Sequence, residues 1–172
     1  MHVLAPQHLP GLLAVQRACY GEGLLESAEV FARRLSSPAN CSLVVEVDGR
    51  VGAYLAAYHS VQGKVTPLQG DFESMSGLAT ADTLYLHDLA VLPQLAGRGL
   101  AQALLAPLHR QALEHGLRHA ALVSVQGSQP FWVRQGYMVQ TLVQALQRAQ
   151  LASYGPGAVY MVRQLGSGAS PV

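Results

Sequence analysis

Charge is scarce in this chain of 172 residues. Asp, Glu, Lys and Arg make up only 12% of it, the formal net charge is +1, and ten of its eleven bases are arginine, with Lys64 the only lysine. The arginines are scattered, so the chain lacks the basic face or stripe that nucleic-acid binding draws on when it releases counterions, and no nucleic-acid partner is expected. Cysteine is nearly absent too. Cys19 and Cys41 read as two buried thiols, and no CxxC or Cys/His spacing suggests zinc or any other metal. Long apolar runs are missing as well: stretches such as Val51 to Val61 fall far short of the roughly 20 apolar residues of a membrane span, so no membrane association is expected. Met1 to Pro6 shows no basic region followed by an apolar core, which predicts no signal peptide and a cytoplasmic protein.

What the chain does have is hydrophobicity, at 50% of its residues, and a length suited to one sizeable core. Disorder over most of its length is thereby excluded. A single domain is expected over residues 1–165, with a small, frayed tail from Gly166 to Val172. The apolar composition is also compatible with a homodimer.

The pattern predicts a strand at His2 to Ala5, a helix from His8 to Cys19 broken by Tyr20-Gly21-Glu22-Gly23, and a second helix capped by Ser27 and running to about Leu35. A hairpin follows, Ser42 to Val47 and Arg50 to His59 around the turn dipeptide Asp48-Gly49. The segment Gln62 to Asp82 reads as a long loop of the kind that carries function. Thr83 to Leu92 is a buried strand stopped by Pro93. Gly97-Arg98-Gly99 opens a helix to about His115, with Pro107 expected to kink it and Gly116 to end it. A strand at Ala120 to Val125, a short helix capped by Ser128 and ended by Gly136, and strands at Tyr137 to Val143 and Ala158 to Leu165 complete the order β-α-α-β-β-β-α-β-α-β-β. This is a mixed α/β sheet with helices on both faces, and its central strand-turn-helix-strand unit requires parallel neighbours.

The chemistry centres on that unit. Free N–H groups at a helix start, with the helix dipole behind them, make an anion site, and glycines let a phosphate reach the amides. Arg98 adds charge at the rim. A plain β-to-α turn would use the same glycines. A nucleotide P-loop needs a Gly-Lys-Ser/Thr that is absent, and Gly97-x-Gly99-x-x-Gln102 lacks the third small residue of a dinucleotide fingerprint.

Tyr85-Leu86-His87-Asp88-Leu89-Ala90-Val91-Leu92-Pro93 with Gly97-x-Gly99-x-Ala101, followed about 30 residues later by Phe131-Trp132-Val133-Arg134-Gln135-Gly136-Tyr137, resembles motifs A and B of the GNAT (Gcn5-related) N-acetyltransferases. The resemblance covers nearly the whole chain and implies a sheet whose central parallel strands splay apart. It further implies acetyl-CoA as cosubstrate, with its pantetheine arm along Leu89, Ala90 and Val91, its pyrophosphate on the amides of Gly97, Arg98, Gly99, Leu100, Ala101 and Gln102, and an N–H near Leu89 polarising the thioester. The Arg or Gln that usually opens the glycine signature is Ala96 here.

Acetyl transfer to an amine benefits from a general base. Residue alternation puts His87 and Asp88 on opposite faces and Tyr85, a further catalytic candidate beside the substrate, on the face of His87. His87 stands where a member of the family carries a strand histidine proposed as base, and it is otherwise a satisfied histidine at a sheet edge. Asp88 reads as a structural acceptor for loop amides. The family's acid, a tyrosine four residues before the motif B glycine, is Trp132 here, which reads as a core anchor or a wall of the CoA cleft. Tyr154 and Ser128 are candidates for the vacant role. Glu22, Glu26, Asp71 and Glu73 could attract a cationic amine or be solvated loop charges. The other histidines, including His8, His59 and His109, read as surface or helix-end residues. The expected function is acetyl transfer to a primary amine, on a small molecule in preference to a protein, by direct attack in a ternary complex. The departures at Ala96 and Trp132 motivate the alternative of a catalytically inactive acyl-CoA-binding regulatory module.

Overall fold

The structure, a computed structural model, describes residues 1–71 and 81–166. Seven strands form one sheet in the order β1-β2-β3-β4-β5-β7-β6, where β1 is His2–Val3, β2 Leu43–Val47, β3 Arg50–Ser60, β4 Thr83–Val91, β5 His119–Ser124, β6 Met138–Val139 and β7 Val159–Gln164. Every neighbouring pair is antiparallel except β4 and β5. The helices are α1 (Leu9–Cys19), α2 (Ala28–Leu35), α3 (Leu100–Glu114), α4 (Gln129–Arg134) and α5 (Ala145–Ala152).

Alternation along the strands divides the core. Ala53, Leu55, Leu84, Leu86, Ala120 and Leu122 pack against Leu104, Leu105 and Leu108 of α3 and Trp132 of α4. The opposite face carries Val44, Tyr54, Ala56 and Ala90 beneath Leu12, Val15 and Phe31 of α1 and α2. Further along that face Tyr58, Tyr85, Ala121 and Tyr160 lie under Leu151 of α5 and Tyr154. Ser27 Oγ accepts from Val30 N, so α2 starts at its expected cap. α3 is continuous through Pro107.

Three local expectations need correction. The helix α5 was not anticipated. Its sequence is rich in good helix formers, but its buried residue is the polar Gln147 while Leu146 is exposed, so the apolar stripe that announces a helix is inverted. Gln147 instead accepts from Val65 N at 2.7 Å, pinning the loop after β3. The strand expected over Tyr137 to Val143 shrinks to two residues. Ser128 does not cap α4 with its side chain, its Oγ lying 3.0 Å from Ser124 Oγ.

Two histidines assigned to the surface are buried. His8 Nδ1 accepts from Ala5 N at the entry to α1. His109 Nε2 lies 2.8 Å from Tyr137 Oη, joining α3 to the segment between α4 and β6. Burial, then Arg163, pushes the His109 imidazole down to about 4. The Tyr137 phenol, raised above its ordinary range mainly by burial, stays protonated and donates to the neutral ring. Since burial sets the folded-state value below the unfolded one, near 6.5, the buried neutral ring costs no stability to protonation above about pH 6.5, and stability falls as pH drops from there through 4. Thermal melts are expected to show Tm falling over that interval, and His109→Gln to flatten it. An equal fall in the variant would assign the acid lability to other groups.

Candidate active site

The parallel pairing of β4 with β5 runs only from Thr83↔His119 to Leu86↔Leu122, after which the strands part. β4 remains paired with β3, and the register there decides which of its groups are left over. Leu92 N donates to Gly52 O, and Tyr54 stands opposite Ala90. Strand parity therefore turns the main-chain groups of Ala90 and Leu92 toward β3, and those of Leu89 and Val91 toward the gap. The two carbonyls on the gap side are met from α1 and the turn after it: Tyr20 Oη donates to Leu89 O at 2.9 Å and Cys19 Sγ to Val91 O at 3.2 Å. The N–H groups of Leu89 and Val91 face the cleft. Of the three residues expected to offer this edge, Ala90 spends its groups within the sheet.

A cavity of about 300 Å³ fills the gap, with Leu86, Leu122, Phe131 and Trp132 among its apolar walls and Glu26, His87, Asp88 and Tyr154 among its polar ones. Val91 and Phe131 also border a second cavity of about 400 Å³, lined by Gly97, Gly99, Leu100, Ala101 and Gln102. The two cavities adjoin at Val91 and Phe131, and between them they extend from the start of α3 to His87. Gly97 and Gly99 have φ of 76° and 77°, a conformation that admits glycine without strain, and each opens onto empty space where a side chain would stand. The first-turn N–H groups of the fifteen-residue α3 are thereby presented to the cleft. Arg98 is exposed on the turn and does not line either cavity.

His87 occupies a β-bulge. Ala56 pairs with Asp88 and Ala57 with Leu86, so His87 is an extra residue with no partner on β3. Strict alternation is broken there, and His87 and Asp88 share the face of Tyr85 and Ala90, contrary to the opposite-face expectation. Asp88 accepts from Tyr20 Oη at 2.6 Å and from Tyr54 Oη, two hydroxyls and not the loop amides expected. Burial raises its carboxyl, and the two tyrosine hydrogen bonds oppose that shift.

His87 Nε2 lies 2.7 Å from Glu26 Oε2, and both side chains are almost fully buried. Arg34 clasps Glu26 through two contacts of 2.6 Å and also donates to Gly70 O. Gln69 N, from a residue held at φ 61°, adds a 2.8 Å bond to Glu26 Oε1, and Gln16 Oε1 accepts from Glu26 N. Burial alone would raise the Glu26 carboxyl, but His87 and Arg34 outweigh it and hold it well below the usual carboxylate range. Glu26 is therefore an ion-paired carboxylate, and an ionised carboxylate can only accept, so the Nε2 of His87 carries a proton and donates it to Glu26. Nδ1 faces Tyr154 Oη at 3.5 Å.

The remaining candidates separate. Tyr154 lines the cleft over the His87 ring and donates to Thr66 O at 2.5 Å. Burial chiefly, then Glu26 and Tyr58, raises its phenol. Tyr85 is fully buried against Tyr58 and does not reach the cleft, which corrects its assignment beside the substrate. Trp132 is packed between Phe131 and Tyr137, edge-on at 4.9 and 5.4 Å, and Ser128 lines the cleft near it. Glu22 is exposed, Asp71 pairs with Arg33 at 2.9 Å on the surface, and Glu73 lies outside the described residues. Two participants went unmarked in the sequence. Arg34 sits in the last turn of α2, where it looks like an ordinary basic residue. Gln126 bridges the cleft mouth, accepting from Gly21 N at 3.1 Å and donating to Cys19 O at 3.2 Å.

Residues 10–137 match the sequence pattern of the Acetyltransferase (GNAT) family, and the chain belongs to that family. A search of curated proteins finds no match. Among solved structures, the chain is similar to the ribosomal-protein-S18-alanine N-acetyltransferase from Escherichia coli, at 16% identity and a TM-score of 0.68 over 99% of this chain and 96% of that one. It is likewise similar to the PaiA N-acetyltransferase of Thermoplasma acidophilum in complex with coenzyme A, at 14% identity and a TM-score of 0.66 over 95% and 96% of the two chains. The GNAT-like decarboxylase GphF in complex with isobutyryl-CoA matches at 17% identity and a TM-score of 0.74 over 95% and 98%. At these identities the likenesses establish the fold. No helix among the described residues is long and apolar enough to cross a membrane.

Proposed function

We propose that this chain is a cytoplasmic N-acetyltransferase that carries the acetyl group of acetyl-CoA to a primary amine of a small molecule, by direct attack in a ternary complex. The observation that carries the reading is the pair of adjoining cavities that extend from the glycine-opened start of α3, along the Leu89 and Val91 edge, to His87. The pyrophosphate is assigned to the first-turn amides of α3, whose donors are main-chain groups and survive the loss of a side-chain contact at Ala96. The pantetheine arm lies along Leu89 and Val91. The Leu89 N–H then donates to the thioester carbonyl and stabilises the charge that develops on its oxygen.

The amine nitrogen attacks the thioester carbon, forming the C–N bond. Its proton passes to His87 Nδ1, and collapse of the tetrahedral centre breaks the C–S bond and releases CoA thiolate. The His87 side chain is only 1% exposed, so the proton travels through water beside the Tyr154 hydroxyl. A phenol raised above its ordinary value of about 10 is a weak acid toward a thiolate of pKa about 8.5, and the thiolate takes its proton from solvent. Tyr154 shields the base, and Ser128 lies along the pantetheine path.

The test is thiol release from acetyl-CoA across a panel of amines, amino acids, polyamines and short peptides, read colorimetrically. Release above the water-only rate with a small amine is expected. Acetyl-CoA binding by calorimetry without release for any acceptor would favour the inactive acyl-CoA-binding module, and absence of binding would overturn both readings.

A further inference from the structure

The carboxylate nearest the base invites two uses, as an anion that captures a cationic acceptor or as a group that works on the base itself. Glu26 has no spare acceptor capacity for an ammonium. Its two oxygens take two N–H groups of Arg34, the Nε2–H of His87 and the main-chain N–H of Gln69, which fills about four lone-pair sites. Its own N–H is fixed by Gln16, and Arg34 is fixed in turn by Gly70 O. The arrangement is buried, charge-balanced and tied at each end to main chain, the form a supporting shell takes when it holds a reacting group in one orientation.

We propose that Glu26, held by Arg34, is the positioning residue for His87: it keeps Nε2 protonated, leaves Nδ1 as the nitrogen that takes the amine proton, and does not bind the acceptor. The proposal rests on the reading of His87 as the base. When the attacking amine's N–H bond breaks, its proton ends on Nδ1, and the imidazolium so formed already points its other N–H at a carboxylate. Among the described residues, the groups facing His87 include Glu26 from the α1–α2 connection, Arg34 of α2 acting through it, Tyr85 and Asp88 of β4, and Tyr154 after α5. Asp88 is taken up by Tyr20 and Tyr54, whereas Glu26 is hydrogen-bonded to the ring.

Glu26→Gln leaves Arg34 buried without its counter-ion, so the experiment pairs it with Glu26→Gln/Arg34→Met, which removes both charges together. Loss of the anion lowers the affinity of His87 for its proton, so the acidic limb of kcat/KM is expected to move down by about one pH unit. kcat should fall about tenfold or more, while KM for the amine stays within about twofold and acetyl-CoA binding is retained. ¹⁵N NMR of the imidazoles should show a single Nε2–H tautomer of His87 in the wild-type protein and a mixture in the variants. A rise of about tenfold in amine KM with the limb unmoved would overturn the proposal and make Glu26 an acceptor ligand. An unmoved limb and kcat in the folded double variant, or mixed tautomers in the wild type, would also overturn it. If the wild type acetylates no amine, the functional reading falls and the tautomer alone decides the positioning claim.

Discussion

Replacing His87 with alanine is expected to lower kcat by about 10²–10⁴ while leaving acetyl-CoA affinity within a few-fold, because general-base assistance is worth that much and the phosphate and pantetheine contacts lie elsewhere. The separation is structural. The proposed phosphate end is lined by Gly97, Gly99 and the first turn of α3, and the proposed pantetheine edge is formed by main-chain groups of Leu89 and Val91. His87 contacts neither end: its ring is held between Glu26 and Tyr154. Alanine can keep the bulge, since the extra residue in β4 is defined by the register of Ala56 and Ala57 and not by a side chain. Stopped-flow or steady-state thiol release, paired with calorimetric titration of acetyl-CoA, separates the two effects. A variant with wild-type kcat across pH 6 to about 9 would remove His87 from the reaction.

The second large effect concerns stability. Trp132→Ala is expected to cost about 3–5 kcal/mol, in the range for truncating a buried aromatic, because the indole is 7% exposed and bridges α3, β4 and β5 from α4. It also supports Tyr137, and through that phenol the bond to His109. Trp132→Phe keeps an aromatic body at the position and should retain most of the stability and kcat within a few-fold. Denaturant unfolding measures the first expectation and thiol release the second. A Trp132→Phe variant that folds normally but loses catalysis by orders of magnitude would mean that the indole acts on the reaction after all, in the position where related enzymes carry an acid.

The local signals in the sequence were strong where one element carried the whole message. The Asp48-Gly49 hairpin, the Ser27 cap, the glycines before α3 and the motif B stop at Gly136 each depend on a few adjacent residues whose backbone preferences are intrinsic. Of the candidate site residues, His87, Tyr154 and the Leu89 edge line one cavity and the glycine turn lines the one adjoining it. Expectations failed where a residue's environment came from distant chain. α5 was missed because Gln147 is buried for a hydrogen bond to Val65 N, 82 positions back, and not for hydrophobic contact. Tyr85 was placed beside the substrate by alternation, while packing against Tyr58 from β3 sets it below the cleft.

The resemblance of two motifs pointed to the family, while the mixed sheet and the position of the glycine turn follow from hydrophobic periodicity and from backbone conformations that particular residues permit. Tertiary structure alone decided what the ionisable groups do. A bulge has no signature in the residue that forms it, since the register of the partner strand creates it, and that bulge turns His87 and Asp88 to one face. Once there, their surroundings come from four other parts of the chain: Glu26 before α2 with Arg34 from its last turn, Tyr20 after α1, Tyr54 on β3, and Tyr154 after α5. Electrostatic character depends on distance and burial, and both are properties of the folded chain.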